Sequence, residues 1–248
     1  MAPVILITGG SRGIGAACAV QAATAGYDVC FSYLSNPGAA DLVKARCEQL
    51  GATAVTARAD VSVEDDVVGL FETCASELGV PRAFVNNVGV LGQQGELADF
   101  TGERIAWTVD INVTGALLCM REASRQMSTK RGGVGGSIVN VSSKASTLGS
   151  PFEYVDYAAT KGAIDSATVG LAKELGDAGV RVNCVRPGPI NTDIHASGGE
   201  PDRVERVSAA IPMGRGGEPD EVASLILWLS SDEASYVSGA LIDVAGGR

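Results

Sequence analysis

Nowhere in the 248 residues does an apolar run approach the ~18 residues a membrane-spanning helix needs, so no membrane partner is expected. Positive charge is scarce as well. Nineteen Lys and Arg stand against 29 Asp and Glu, a formal net charge of −10, and the resulting repulsion argues against nucleic acid or any strongly acidic partner. Close cysteine pairs are missing. Cys18, Cys30, Cys47, Cys74, Cys119 and Cys184 are scattered, several inside apolar runs, which speaks against disulfides and zinc and for buried free thiols in a reducing, cytoplasmic setting. No metal site is expected. The apolar start, Val4 to Ile7, is too short for a signal peptide and lacks its basic flank. Repeats, low-complexity tracts and linkers are absent too, so residues 1–248 are expected to form one domain.

What the chain does have is 46% hydrophobic residues, ample for a well-buried core, arranged in a regular alternation. Short apolar runs predict strands at 4–7, 28–33, 54–59, 83–88, 137–141, 180–185 and 240–244. Helical patterns fill 11–25, 39–50, 102–127, 157–175 and 221–230, and Ser62 with Asp65 reads as a capping-box start for a helix ending near Leu78. The glycine-rich stretch 132–136 precedes a strand instead of opening a helix, and is read as a plain loop. Such alternation predicts an α/β fold, a doubly wound parallel sheet of about seven strands with helices on both faces. Ligands of these sheets bind at the carboxyl ends of the strands. The polar segment 189–213 interrupts the pattern except for a short helix near 202–210, and is expected to act as a lid.

Tyr157 and Lys161 stand one helical turn apart and so share a helix face. A phenol ionises near pH 10 on its own, and a neighbouring ammonium favours the phenolate, so the pair suits a reaction that moves a proton on or off a substrate oxygen. Between the first strand and first helix lies Thr8-Gly9-Gly10-Ser11-Arg12-Gly13-Ile14-Gly15. Glycines there let the backbone approach a pyrophosphate, and the helix N-terminus supplies donors. Asn86-Asn87-Val88-Gly89, Asn112, Ser142-Ser143 and Pro187-Gly188 follow in order. His195, in the lid segment, has no neighbour in sequence to orient it as a base and is expected at the surface or against substrate.

In their order and separation these motifs resemble the short-chain dehydrogenase/reductase family from Thr8 to the closing Gly246-Gly247, and most nearly its glucose-1-dehydrogenase-like and 3-oxoacyl-thioester-reductase-like members. The resemblance implies a single-domain Rossmann-type fold, hydride transfer with a nicotinamide cofactor, and a homotetramer formed through the C-terminal tail. It makes Tyr157 the acid/base and Lys161 the residue that lowers the Tyr157 pKa and holds the nicotinamide ribose. Ser143, favoured over Ser142, would bond the substrate oxygen, and Asn112 would fix a water for proton return. Gly9, Ser11, Arg12, Gly13, Ile14, Gly15, Tyr33, Asp60, Val61, Asn87 and Gly89 would line the cofactor; Pro187, Gly188, Ile190 and Thr192 would hold its nicotinamide end. Val88 departs from the family's usual alanine.

NAD-preferring sites carry an acidic residue at the end of the second strand. Tyr33 stands there instead, with Arg12, Ser35 and Asn36 within reach of a 2′-phosphate, so NADP(H) is expected over NAD(H). The expected function is NADP(H)-dependent interconversion of a carbonyl and a secondary alcohol on a small or medium-sized molecule, its pocket including Phe152, Glu153 and Tyr154. Two alternatives remain at this level. One is a 3-oxoacyl-[acyl-carrier-protein] reductase, for which Arg121, Arg125, Lys130 and Arg131 would supply a basic patch; the other is a nucleotide-sensing scaffold that has lost its chemistry.

Overall fold

Val4 to Ile7 are all buried, as a strand covered on both faces must be. This strand, β1 (Val4–Ile7), lies inside the sheet of the computed structural model, which describes residues 2–248. The chain continues through α1 (Gly13–Thr24), β2 (Asp28–Tyr33), α2 (Pro37–Gln49), β3 (Ala54–Arg58), α3 (Glu64–Glu77) and β4 (Ala83–Asn86). Next come α4 (Gly102–Val109), α5 (Ala116–Met127), β5 (Gly136–Val141), α6 (Ala145–Leu148), α7 (Val155–Leu175) and β6 (Val180–Pro187). The last elements are α8 (Ile194–Ser197), α9 (Arg203–Ser208), α10 (Pro219–Ser230) and β7 (Leu241–Val244). The strands form one seven-stranded sheet in the order β3-β2-β1-β4-β5-β6-β7, with every pairing parallel. This is the doubly wound parallel sheet that the alternation predicts, in the single-domain Rossmann-type form that the resemblance implies.

Period-two alternation divides the core. Ile5, Ile7 and Phe31 face one side, packing with Cys18, Ala19 and Ala22 of α1 and Ile226 and Leu229 of α10. Leu6, Phe84 and Ile138 face the other, against Leu70 and Phe71 of α3, Ala123 and Met127 of α5 and Leu175 of α7. Phe71 and Phe84 pack with ring centres 5.2 Å apart. Each fully buried side chain of this size contributes about 1.5–3 kcal/mol. All six cysteines are buried and free.

The structure differs from expectation in three places. Ser62 and Asp65 make no capping box: α3 starts at Glu64 behind Val63, and the Ser62 backbone N–H and hydroxyl both donate to Asp60 Oδ1, at 3.0 and 2.7 Å. The short Asp60 acceptor next door outcompetes the cap. The helix expected over 102–127 is interrupted by a π turn at Asp110–Gly115, where Gly115 passes so close to Val61 that a Cβ would stand 2.9 Å from the Val61 carbonyl oxygen. Finally, 189–213 holds two short helices, α8 and α9, and a one-turn helix, α6, follows β5.

Candidate active site

The chain winds outward from β1 through β2 to β3 and then returns to β4 on the other side of β1, and this reversal opens a crevice at the carboxyl ends of the strands. A cleft of about 740 Å³ fills it. Of the residues expected at the site, Gly9, Ser11, Arg12, Gly13, Ile14, Tyr33, Asp60, Val61, Asn87, Gly89, Ser143, Tyr157, Lys161, Pro187, Gly188, Ile190 and Thr192 all line it. Gly15 and Asn112 stand behind its wall. A Cβ on Gly15 would lie 2.2 Å from the Gly9 carbonyl oxygen and 2.7 Å from Asn87 Nδ2, so this glycine serves close packing of loop on helix instead of contact with a ligand.

At the chemical centre, α7 presents Tyr157 and Lys161 from its first turns. Lys161 is 3% exposed, donates from Nζ to the Val141 carbonyl at 2.9 Å, and holds Nζ 5.5 Å from the Tyr157 ring centre. Burial pulls the Lys161 pKa from 10.5 down to about 8. Burial also pushes Tyr157 above its ordinary value, against opposing pulls from the Ser143 side chain and the Arg203 guanidinium. Of these influences burial is the largest, and the opposing charge comes from Arg203 of the 189–213 segment. The two serines divide their work. Ser142 Oγ donates to the Lys161 carbonyl at 3.0 Å, tying β5 to α7, while Ser143 lines the cleft and accepts the Ala145 N–H at 3.1 Å.

Asn112 projects from the π turn, a device that re-aims side chains. Its Oδ1 accepts the Val90 N–H at 2.8 Å, and its Nδ2 donates to the Val90 carbonyl and to Thr160 Oγ1 at 3.0 and 3.2 Å. A Cβ on Gly89 would stand 3.2 Å from Lys161 Nζ and 3.6 Å from Asn112 Oδ1, so these three residues converge.

The other end of the cleft fits a dinucleotide. Gly9 and Gly13 have φ of +67° and +54°, which bare glycine adopts freely. Gly9 N–H donates to Ser32 Oγ at 3.0 Å, and Asn87 Nδ2 donates to the Thr8 and Gly9 carbonyls at 3.0 and 3.2 Å, so the loop is preshaped into an open cradle at the α1 N-terminus. Tyr33 ends β2 and is followed by Leu34, Ser35 and Asn36, none of them a carboxylate, and Asn36 caps α2 by accepting the Ala39 N–H at 3.0 Å. Val88 packs within 3.3 Å of where a Gly9 Cβ would be, filling space without closing the cleft.

Some contributors escape sequence reading. Arg104 of α4 pairs with Asp156, the residue before Tyr157, at 2.9 Å. At the 189–213 segment, Glu153 takes Arg203 at 2.5 Å and Arg206 at 2.8 Å, and Glu200 also pairs with Arg206. Glu153, Tyr154, His195 and Arg203 also line the cleft; Phe152, expected with them, is 74% exposed and does not. Only the position of Asp156 beside Tyr157 could have signalled its importance. The basic patch is also corrected: Arg121 pairs with Glu64 and Glu122, Arg125 with Glu122, and Lys130 with Asp177, so three of its four charges are already neutralised.

A parallel sheet with a glycine cradle at its crevice and a Tyr/Lys pair across from it defines a dinucleotide-dependent oxidoreductase. Comparison with known proteins narrows this. A family profile described as Enoyl-(Acyl carrier protein) reductase matches residues 9–248. The "Uncharacterized oxidoreductase YgfF" of Escherichia coli is 53% identical over 245 residues, covering 99% of each chain. "Glucose 1-dehydrogenase 2" of Bacillus subtilis is 34% identical over 98% of this chain and 93% of that one. The crystal structure of a blue fluorescent protein from a metagenomic library in complex with NADPH superposes with a TM-score of 0.89 at 32% identity, over 99% of this chain and 97% of the other. The chain belongs to the short-chain dehydrogenase/reductase family, and is an NAD(P)-dependent enzyme acting on CH–OH groups.

Proposed function

We propose that the protein is an NADP(H)-dependent reductase of carbonyl groups, and dehydrogenase of the corresponding secondary alcohols, with Tyr157 as acid/base. The observation that carries this reading is Tyr157 facing the cleft beside Ser143 and Lys161, across from the glycine cradle. The cofactor supplies a hydride when bound. In reduction Tyr157 gives its proton to the substrate oxygen, which Ser143 holds by a hydrogen bond, and in oxidation it takes one back. Lys161 steadies the developing phenolate and the nicotinamide ribose. Asn112, two atoms of which hold the Val90 backbone, sets the wall through which the proton is replaced.

NADP(H) is the preferred form in this proposal, because Tyr33 ends β2 where a carboxylate would repel a 2′-phosphate, and the exposed Arg12, Ser35 and Asn36 border the same end of the cleft. The 189–213 segment is the lid. Four copies assemble: Ile105 and Trp107 on α4, Leu117 on α5, and Trp228 and Tyr236 near the C-terminal end are exposed apolar side chains that partner subunits would cover. A cytoplasmic setting agrees with six reduced thiols, and among the described residues no helix is long and apolar enough to cross a membrane. The acyl-carrier-protein alternative has the wording of the family profile on its side but a basic patch that is internally paired, and the intact reactive set speaks against a scaffold. The deciding experiment is NADPH oxidation by the purified protein over a panel of small ketones, sugars and a short acetoacetyl thioester, beside Tyr157→Phe. Turnover that the variant loses supports the reading; turnover that survives the substitution removes Tyr157 from the chemistry.

A further inference from the structure

Two residues that line the cleft, His195 and Arg203, each bury a polar atom with nothing to bond. His195 is 7% exposed, and its Nε2 lies 2.9 Å from the Ile190 carbonyl oxygen. A carbonyl only accepts, so Nε2 carries the hydrogen. Burial keeps the ring below its ordinary pKa and hence neutral, which leaves Nδ1 as a bare acceptor without a partner. Arg203 is anchored through Nη2 on Glu153, but its buried Nε–H has no hydrogen-bond partner; the Glu200 carboxylate stands 3.8 Å away. Both residues line the same cleft as Tyr157, and the Arg203 charge is felt at Tyr157 and at His195.

Buried polar groups are normally satisfied, and each orphan costs about 1–3 kcal/mol. Here one orphan is an acceptor and the other a donor, in a wall whose charges cancel: Glu153 and Glu200 against Arg203 and Arg206. A carboxylate has only accepting oxygens and would add uncompensated negative charge; an alkyl chain would leave both atoms unmet. Hydroxyl groups both donate and accept, so a hydroxylated molecule offers a partner of the right kind to each. We propose that His195 and Arg203 form a subsite for a substrate hydroxyl, and that the substrates are hydroxylated ketones or aldehydes and their diol counterparts. This rests on the reductase reading above. Both atoms lie beneath the surface, His195 on α8 and Arg203 at the start of α9, so in this proposal a substrate hydroxyl reaches them only by a small displacement of these short helices.

The test compares kcat/KM of the wild-type protein with NADPH for hydroxyacetone, for butanone, in which a methyl replaces the hydroxyl, and for pyruvate, together with the same trio lengthened by one and by two methylenes. At least one hydroxyketone should exceed its hydrocarbon twin by about tenfold or more, and His195→Phe and Arg203→Met should each shrink that ratio. Twins turned over equally at every length, or oxo acids preferred throughout, overturn the subsite and leave the reductase reading standing. No turnover of any compound by protein that binds NADPH overturns both. The wild-type ratios decide the matter even if a variant fails to fold.

Discussion

Arg104 and Asp156 form an almost buried ion pair, Nε to Oδ2 at 2.9 Å, directly beside the tyrosine that faces the cleft. Asp156 also accepts the Tyr157 backbone N–H at 2.9 Å, and Arg104 reaches the Gln93 carbonyl while lying 3.3 Å over the Phe100 ring. One guanidinium therefore ties α4, the loop after β4 and the first turn of α7 together. Removing one partner of a buried pair strands the other charge, at about 3 kcal/mol. Arg104→Met should lower Tm by about 6–12 °C and reduce kcat while NADPH affinity holds. The double variant with Asp156→Leu should recover part of the lost stability. A double-mutant cycle by thermal unfolding checks this, and additive losses would mean that the two side chains do not couple.

Tyr157→Phe keeps the ring and deletes the proton. Its kcat should fall by about 10²–10⁴ with NADPH binding, followed by fluorescence titration, within about twofold of wild type.

Lys161 makes stability depend on pH in a predictable direction. Its pKa is 10.5 when free and about 8 in the fold, because burial disfavours the charge. Between those values the unfolded chain holds a proton that the folded chain has given up, so stability rises with pH across that window and the cost of the buried charge is fully present below it. Lys161→Met should thus be more stable than wild type by about 2 kcal/mol near pH 7, after allowing for the lost bond to Val141. That advantage should shrink as pH climbs from 8 toward 10.5. Chemical unfolding of both proteins at stepped pH gives the difference; an advantage that grows with pH would reverse the assignment.

Cofactor choice depends on the end of β2. NADPH should bind at least about tenfold more tightly than NADH, one charge-assisted contact's worth. Arg12→Ala should erase most of that ratio, and Tyr33→Asp should invert it. Paired titrations with both cofactors read all three outcomes.

Gly15→Ala drives a methyl to 2.2 Å from the Gly9 carbonyl oxygen. The cradle must distort, at about 1–3 kcal/mol, and NADPH affinity should drop although Gly15 itself does not line the cleft.

The sheet was legible because burial on both faces writes continuous apolar runs such as Val4 to Ile7, and glycines mark the helix ends. Tyr157 and Lys161 were legible because a helix fixes the spacing at which two side chains meet. Arg104 and Asp156, 52 residues apart, left no such trace. Neither did the partners of Arg121 and Lys130, whose charges read as a free patch until their acidic neighbours were placed in space. The capping box failed for a related reason: Ser62 had a nearer acceptor in Asp60. His195 and Arg203 come together only through the fold of the 189–213 segment, which has no periodicity to read.

The π turn at Asp110–Gly115 means that this helix carries one more residue than its length requires. Deleting a single residue within it would let α4 and α5 fuse into one regular helix, a change that backbone hydrogen bonding favours. The same deletion would swing Asn112 by roughly a quarter turn around the axis, away from Val90. Asn112 would then lose its clamp on both Val90 backbone groups, so the surplus residue is what lets one side chain of a helix reach across to the loop after β4.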